Sequence, residues 1–365
     1  MTLSPFSATY AEARAKFLEA ATVARAELQA WAHPERGPDG GELSTDVAWI
    51  GPVDAPAALV LVSGTHGVEG HCGSGAQVDW LRRQEWARLP EGVAALLIHA
   101  INPFGFAWSR RVTHENVDLN RNFVDFAAPL PENRAYTALA DAVTPASWSR
   151  EAQAEARGRL LAYARENGFP ALVQAMSGGQ YSHPDGIFYG GAGPTWSRRT
   201  LEAILTGRLA GAKSVCFLDF HTGLGPEGYA EQIITRGPGA PEYRRARDWF
   251  GAAVASVDAG ESVSAKIAGD WLDAAPRLLP HAEVTGVALE YGTVETNQVL
   301  NALRADNWLH ARSDPTGPEA AAIQAEMRAA FYVDTDMWRG MVLGQSLIAT
   351  RQAVAGLSAS LGGDR

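Results

Sequence analysis

The chain of 365 residues predicts an α/β fold, a mixed and largely parallel sheet flanked by helices. Three observations carry this expectation. "AALVLVSG" (57–64) and "VAALLIHAIN" (93–102) are continuously apolar, as strands covered on both faces must be. Between them "GSGAQVDWLRRQEWARL" (73–89) spaces its apolar residues as an amphipathic helix, so strand, helix and strand follow with short connections, the signature of parallel pairing. Residues able to do chemistry are spread from position 66 to position 290 with no repeat or low-complexity linker among them, which predicts one interleaved domain over 1–365.

In chain order, the alanine-rich segment 8–33 predicts a helix. "DVAWIG" (46–51) is a short strand, and "PVDAP" turns the chain into the apolar run at 57. Residues 130–178 are helical in pattern, and "GGQYSHPDGIFYGGAGPTWS" (178–197) predicts an ordered loop lying over a surface. A helix at 200–209 precedes a buried strand, "KSVCFLDF" (213–220). "AEQIITRG" (230–237) and "VTGVALEYGT" (284–293) are further strands, and the remainder is helical. The domain therefore carries a mainly helical insertion near 130–212 and a helical tail over 300–365.

Composition excludes several classes of partner. With 31 basic and 41 acidic residues, the net charge of −10 argues against nucleic acid or an anionic membrane as the main partner, since both need a concentrated positive surface. Cys72 and Cys216 are the only cysteines, too few for a disulfide framework, and their apolar or glycine-rich surroundings predict buried, reduced thiols. The N-terminal segment lacks a basic start followed by an apolar core, and no apolar run approaches the ~20 residues of a spanning helix. A soluble, cytoplasmic protein is expected.

The chemistry begins at "SGTHGVEGH" (63–71), where two histidines and a glutamate follow a strand among glycines. His66 and Glu69 offer one nitrogen and one carboxylate, and the glycines allow the turn that aims both at one point. Hydrolytic zinc takes three protein ligands and leaves a fourth position open. "FLDFHTGLG" supplies a candidate for the third, because His221 leaves another buried strand and strand ends gather at one edge of a parallel sheet, although a hydrogen-bonded interior histidine is the other reading. In "VDLNRNF" (117–123), Asp118 is placed to accept from the free nitrogen of a ligating histidine, while Asn120 and Arg121 can hold a carboxylate. Arg110 and Arg111 bring charge that can stabilise an oxyanion. Glu290 ends an apolar run, where ionisation is costly unless a cation faces it, as a general base beside zinc requires.

"THGVEG", "NPFGFAW", "VDLNRNF", "LDFHTG" and "LEYGT", in this order over residues 63–293, resemble the zinc carboxypeptidase (M14-type) superfamily. The resemblance is closest to its bacterial DUF2817 branch and more distant to aspartoacylase and succinylglutamate desuccinylase. It implies a carboxypeptidase-like, phosphorylase/hydrolase-like fold and one Zn2+ ion held by His66, Glu69 and His221. It further implies carboxylate binding by Asn120 and Arg121, a general base at Glu290 and an oxyanion-stabilising arginine. Arg111 matches that arginine by its nine-residue offset from Asn120, with Arg110 the fallback. One departure from the digestive enzymes is the mobile tyrosine: none lies between Tyr243 and Tyr291, leaving Tyr181 or Tyr189 to fill the role.

Of the other histidines, His183 lies in a loop able to close over the site and donate to substrate. His33, His281 and His310 are expected at the surface, and His99 in the core; His114 is a candidate to line the pocket. His71 is expected to pack, cap or line the rim, and Asp219 to orient His221 or merely to end its strand. The expected activity is zinc-dependent cleavage of an amide next to a free carboxylate, most simply by a metallocarboxypeptidase acting on small peptides. An N-acyl-amino-acid deacylase and a non-catalytic carboxylate-binding relative are the alternatives.

Overall fold

A computed structural model describes residues 4–362. Along the chain run α1 (Tyr10–Val23), β1 (Glu27–Arg36), β2 (Glu42–Ile50), β3 (Ala57–Val62), α2 (Gly70–Arg82) and β4 (Val93–His99). Helices α3 (Pro103–Ala107), α4 (Arg134–Val143), α5 (Arg150–Asn167), α6 (Phe169–Ser177) and α7 (Trp196–Arg208) follow. Then come β5 (Ser214–Glu227), β6 (Ala230–Ile234), α8 (Pro241–Phe250), β7 (Val254–Ser256) and α9 (Trp271–Leu278). The chain closes with β8 (Glu283–Gly292), α10 (Thr296–Arg312), α11 (Ala320–Phe331) and α12 (Asp336–Gly362).

The eight strands form one sheet in the order β1-β2-β4-β3-β5-β8-β6-β7. Its centre, β4-β3-β5-β8, is parallel throughout. Antiparallel pairing occurs at β1–β2, β2–β4 and β6–β8. The continuous apolar runs are explained by the two packed faces. Leu59 and Leu61 of β3 join Phe17, Trp80 and Trp338 on one side of the sheet, whereas Val60 and Val62 join Leu205 and Trp271 on the other. Both cysteines are free and buried.

The expected helix over 8–33 is corrected in its second half. Helix α1 ends near Ala24, Arg25 adopts a left-handed φ of 56°, and residues 27–36 leave as the outer strand β1. Alanine favours a helix locally, but here pairing to β2 prevails and sets Trp31 and His33 toward the body of the protein. Two further corrections concern histidines expected at the surface. His33 is buried against Phe104, His114 and Trp196, and His310 is largely covered beside Asp306, while His281 is exposed. His99 is a core residue bonded to Ser74, as expected.

Parallel pairing places the C-terminal ends of β3, β5 and β8 along one edge. Val62 is in register with Asp219, and His221 with Glu290. The chain leaving β3 turns at Gly64, whose φ of 68° suits glycine. It then passes so close to α3 that a Cβ on Gly67 would lie 2.0 Å from the Gly105 carbonyl carbon. Gly67→Ala is therefore expected to displace the turn and destabilise the protein by at least the ~1–3 kcal/mol of an overpacked core, measurable by urea unfolding.

Candidate metal centre and its cavity

His66, Glu69 and His221 converge, and all three are buried. His66 Nδ1 lies 2.9 Å from Glu69 Oε1, His221 Nδ1 lies 2.9 Å from Glu69 Oε2, and the two Nδ1 atoms are 3.2 Å apart. Tetrahedral ligands about 2.0–2.1 Å from zinc stand roughly 3.3 Å from one another, so this donor set fits one such ion. The outward nitrogens are anchored as a ligand pair requires. His66 Nε2 meets Asp118 Oδ1 at 3.2 Å, and His221 Nε2 meets Asp219 Oδ2 at 2.7 Å.

Local backbone explains each placement. Glu69 sits in a single 3-10 turn, Gly67–Glu69, that leads directly into α2. Gly67 and Val68 donate their amides to the carbonyls of Arg111 and Arg110, at 3.0 and 2.8 Å. Asp118 caps the turn Leu119–Arg121, accepting from the Asn120 amide. Asp219 accepts from Thr65 Oγ1 at 2.8 Å and from the Trp271 indole at 2.7 Å as well as facing His221. The sequence left two readings of Asp219, and the bonded one is observed. The parts played by Thr65 and Trp271 had no sequence signal, since Trp271 arrives from α9, 52 positions away.

Charge balances tightly here. Burial alone would raise the Glu69 carboxyl, but His66 and His221 outweigh it and hold Glu69 well below the usual carboxylate range. Burial likewise opposes charge on His221, yet Asp219 and Glu69 raise its pKa well above that of a free imidazole. Arg111 bridges the cluster: Nε donates to Asp118 at 3.0 Å and Nη1 to Glu69 at 3.1 Å. Its guanidinium also lies over the Phe188 ring, 5.2 Å from the centroid.

Glu290 faces the cluster from β8. One carboxylate oxygen accepts the Leu224 amide at 2.9 Å, and the carboxyl is pushed up to about 7, chiefly by burial and then by the Glu69 charge. Together with His66, Arg111, Asn120, Arg121 and His221 it lines a cavity of about 1300 Å³. Arg121 is buried and spends its Nη atoms on the carbonyls of Asn120 and Ser177, while its Nε and the Asn120 Oδ1 are buried without hydrogen-bond partners.

Other candidates fall outside this cavity. Arg110, buried, turns away to Asp306 and Asn116, so of the two neighbouring arginines it is Arg111 that faces the cluster. His183 bonds Ser182 and packs on Tyr136, away from the cavity lining. His114 packs with His33 and Phe104. His71 is buried, with Nδ1 on the Ser7 carbonyl and its ring against Phe106 and Tyr332, which selects packing among its three readings. Tyr181 donates to the Arg121 carbonyl at 2.6 Å, and neither it nor Tyr189 lines the cavity. The 178–197 loop does contribute Phe188, which covers Arg111 and Arg121.

Asp219→Asn keeps the shape of the histidine's anchor but removes its charge. If the cluster holds zinc, this change is expected to weaken zinc binding by about 10–100-fold in a chelator competition, with little change in fold.

Several solved structures are similar at low identity. Carboxypeptidase A from Helicoverpa armigera matches at 13% identity and a TM-score of 0.45, over 88% of this chain and 73% of that one. The product-bound ectoine utilization protein from Ruegeria pomeroyi matches at 15% identity and 0.39, over 78% and 67%. Murein-tripeptide amidase from Escherichia coli O157 matches at 13% and 0.34, over 80% and 93%. No curated protein sequence matches the chain. The family model described as "Protein of unknown function (DUF2817)" matches residues 6–345, nearly the whole chain, and the protein therefore belongs to the DUF2817 family.

Proposed function

We propose that the protein is a zinc-dependent hydrolase cleaving an amide bond next to a free carboxylate, as a metallocarboxypeptidase does. The observation that carries this reading is the convergence of three buried donors, His66, Glu69 and His221, on one point beside a cavity that also exposes Glu290. A zinc ion bound there supplies Lewis acidity, polarising a scissile carbonyl and acidifying water.

The chain's own groups account for the rest of the chemistry. Glu290 has one oxygen fixed by the Leu224 amide, leaving the other to take a proton from attacking water and return it to the departing amine. Arg111 is held by Glu69 and Asp118 through Nε and Nη1, which leaves Nη2 to meet the oxyanion that develops on the carbonyl oxygen. Arg121 is a buried cation whose closest carboxylate, Asp118, stands 3.8 Å away. Such a group favours an anionic ligand, and with the Asn120 amide it would fix the substrate's carboxylate and so place the neighbouring amide at the cluster.

The test is product identification by mass spectrometry over short peptides and N-acyl amino acids, each with a free or an amidated terminal carboxyl group. Release of the carboxylate-bearing residue from free acids, with the amidated forms at least 100-fold slower, is the expected result. Equal rates on both forms would contradict the part given to Asn120 and Arg121. No cleavage of either substrate class by zinc-loaded protein would contradict the hydrolase reading.

A further inference from the structure

Arg110 drew notice in the sequence as a possible oxyanion partner, yet the structure gives it a different set of contacts. Its guanidinium donates from Nε to Asp306 of α10 at 3.1 Å and from Nη2 to the Asn116 side chain at 3.1 Å. Both ends of the ion pair are buried, with side-chain exposures of 4% each. Asn116 in turn donates to the carbonyls of Pro184 and Gly186 in the loop that carries Phe188. A buried pair of this kind adds little net stability over apolar residues of the same volume, so what it specifies structurally matters more.

What it specifies is the backbone on which the metal cluster hangs. The carbonyls of Arg110 and Arg111 accept the amides of Val68 and Gly67, the two residues between His66 and Glu69. Arg110 also donates its own amide to Gly105 at 2.7 Å, against which Gly67 is packed. With the Arg110 side chain drawn toward α10, the next side chain projects the other way, to Glu69 and Asp118. Helix α10 reaches the cavity one to two turns earlier, through Leu303, Leu300 and Val299.

We propose that Arg110 and Asp306 are a positioning pair: by clamping residues 110–111 to α10, they hold the Gly67–Glu69 turn and aim Arg111. Neither residue touches the reacting atoms. The consequence for catalysis rests on the hydrolase reading above, whereas the ordering of the turn does not.

The variant that tests this is Arg110→Met with Asp306→Leu, which removes both charges together and leaves no unpaired ion in the interior. Its main readout is hydrogen exchange at the amides of Gly67 and Val68. Their protection should fall at least tenfold while that of β3 and β5 stays at the wild-type level. Zinc affinity, read by chelator competition on metal-free protein, should weaken at least tenfold. In turnover, kcat should fall with little change in KM. If the paired variant does not fold, Arg110→Lys keeps the buried charge but loses the two-armed grip, and the same exchange loss is expected. Unchanged protection at Gly67 and Val68 in either folded variant would overturn the proposal. Loss of protection in the variants, with a wild-type protein that neither binds zinc nor turns over, would overturn the functional reading and leave the positioning pair standing.

Discussion

Glu290→Gln is expected to lower kcat by about 10²–10⁴-fold while leaving zinc stoichiometry and fold intact, because it removes the proton acceptor without changing the shape of the side chain. Substrate KM should change little, since carboxylate recognition belongs to Asn120 and Arg121 in this account. A stability signature accompanies the kinetic one in metal-free protein. The native Glu290 carboxyl is held near 7 by burial and by Glu69, above the ~4.3 of an unfolded glutamate. The native state thus binds the proton more tightly, and that contribution is complete below pH ~4.3 and lost as pH rises through about 7. Glutamine does not titrate, so the Tm advantage of Glu290→Gln over wild type should be larger at pH 8 than at pH 5. An equal difference at both values would contradict burial as the cause of the raised pKa.

His221→Ala is expected to have the second large effect, on the metal itself. It removes one of three donors and takes away the partner that two buried carboxylates, Glu69 and Asp219, face at 2.9 and 2.7 Å. Zinc binding should fall below detection at micromolar protein. The Tm increase expected when zinc is added to wild type, from binding only the native state, should be absent in the variant. The comparison variant is His71→Ala, whose histidine packs on Phe106 and Tyr332: it should lose stability but keep stoichiometric zinc. Loss of zinc in His71→Ala with retention in His221→Ala would reverse the assignment of the cluster.

Much of this arrangement was legible in the sequence because the motifs stand at the ends of apolar runs. Two continuous apolar runs with a helix between them already implied parallel pairing, and parallel pairing brings strand ends to one edge. That rule allowed His66 and His221 to converge across 155 positions, and the resemblance to the zinc carboxypeptidases supplied their pairing as ligands. Helix propensity misled where edge pairing prevailed, at Glu27–Arg36, since an outer strand has no continuous apolar run to mark it. Residues 238–283 had no element of their own in the sequence reading, which left them in a helical remainder, and the short strand β7 between α8 and α9 departs from it because short pieces separated by turns give weak periodicity. The contacts that orient the site were the least legible. Trp271 on Asp219, Phe188 over two arginines and Asp306 on Arg110 are each set by tertiary packing between distant segments.

The most direct test of the central claim is a titration of metal-free protein with zinc while hydrolysis of a carboxylate-bearing amide is followed. Activity should rise linearly to one equivalent and then stay level, with Glu290→Gln binding the same equivalent and remaining inactive. Turnover that is independent of zinc, or a folded protein that takes up no zinc, would contradict it.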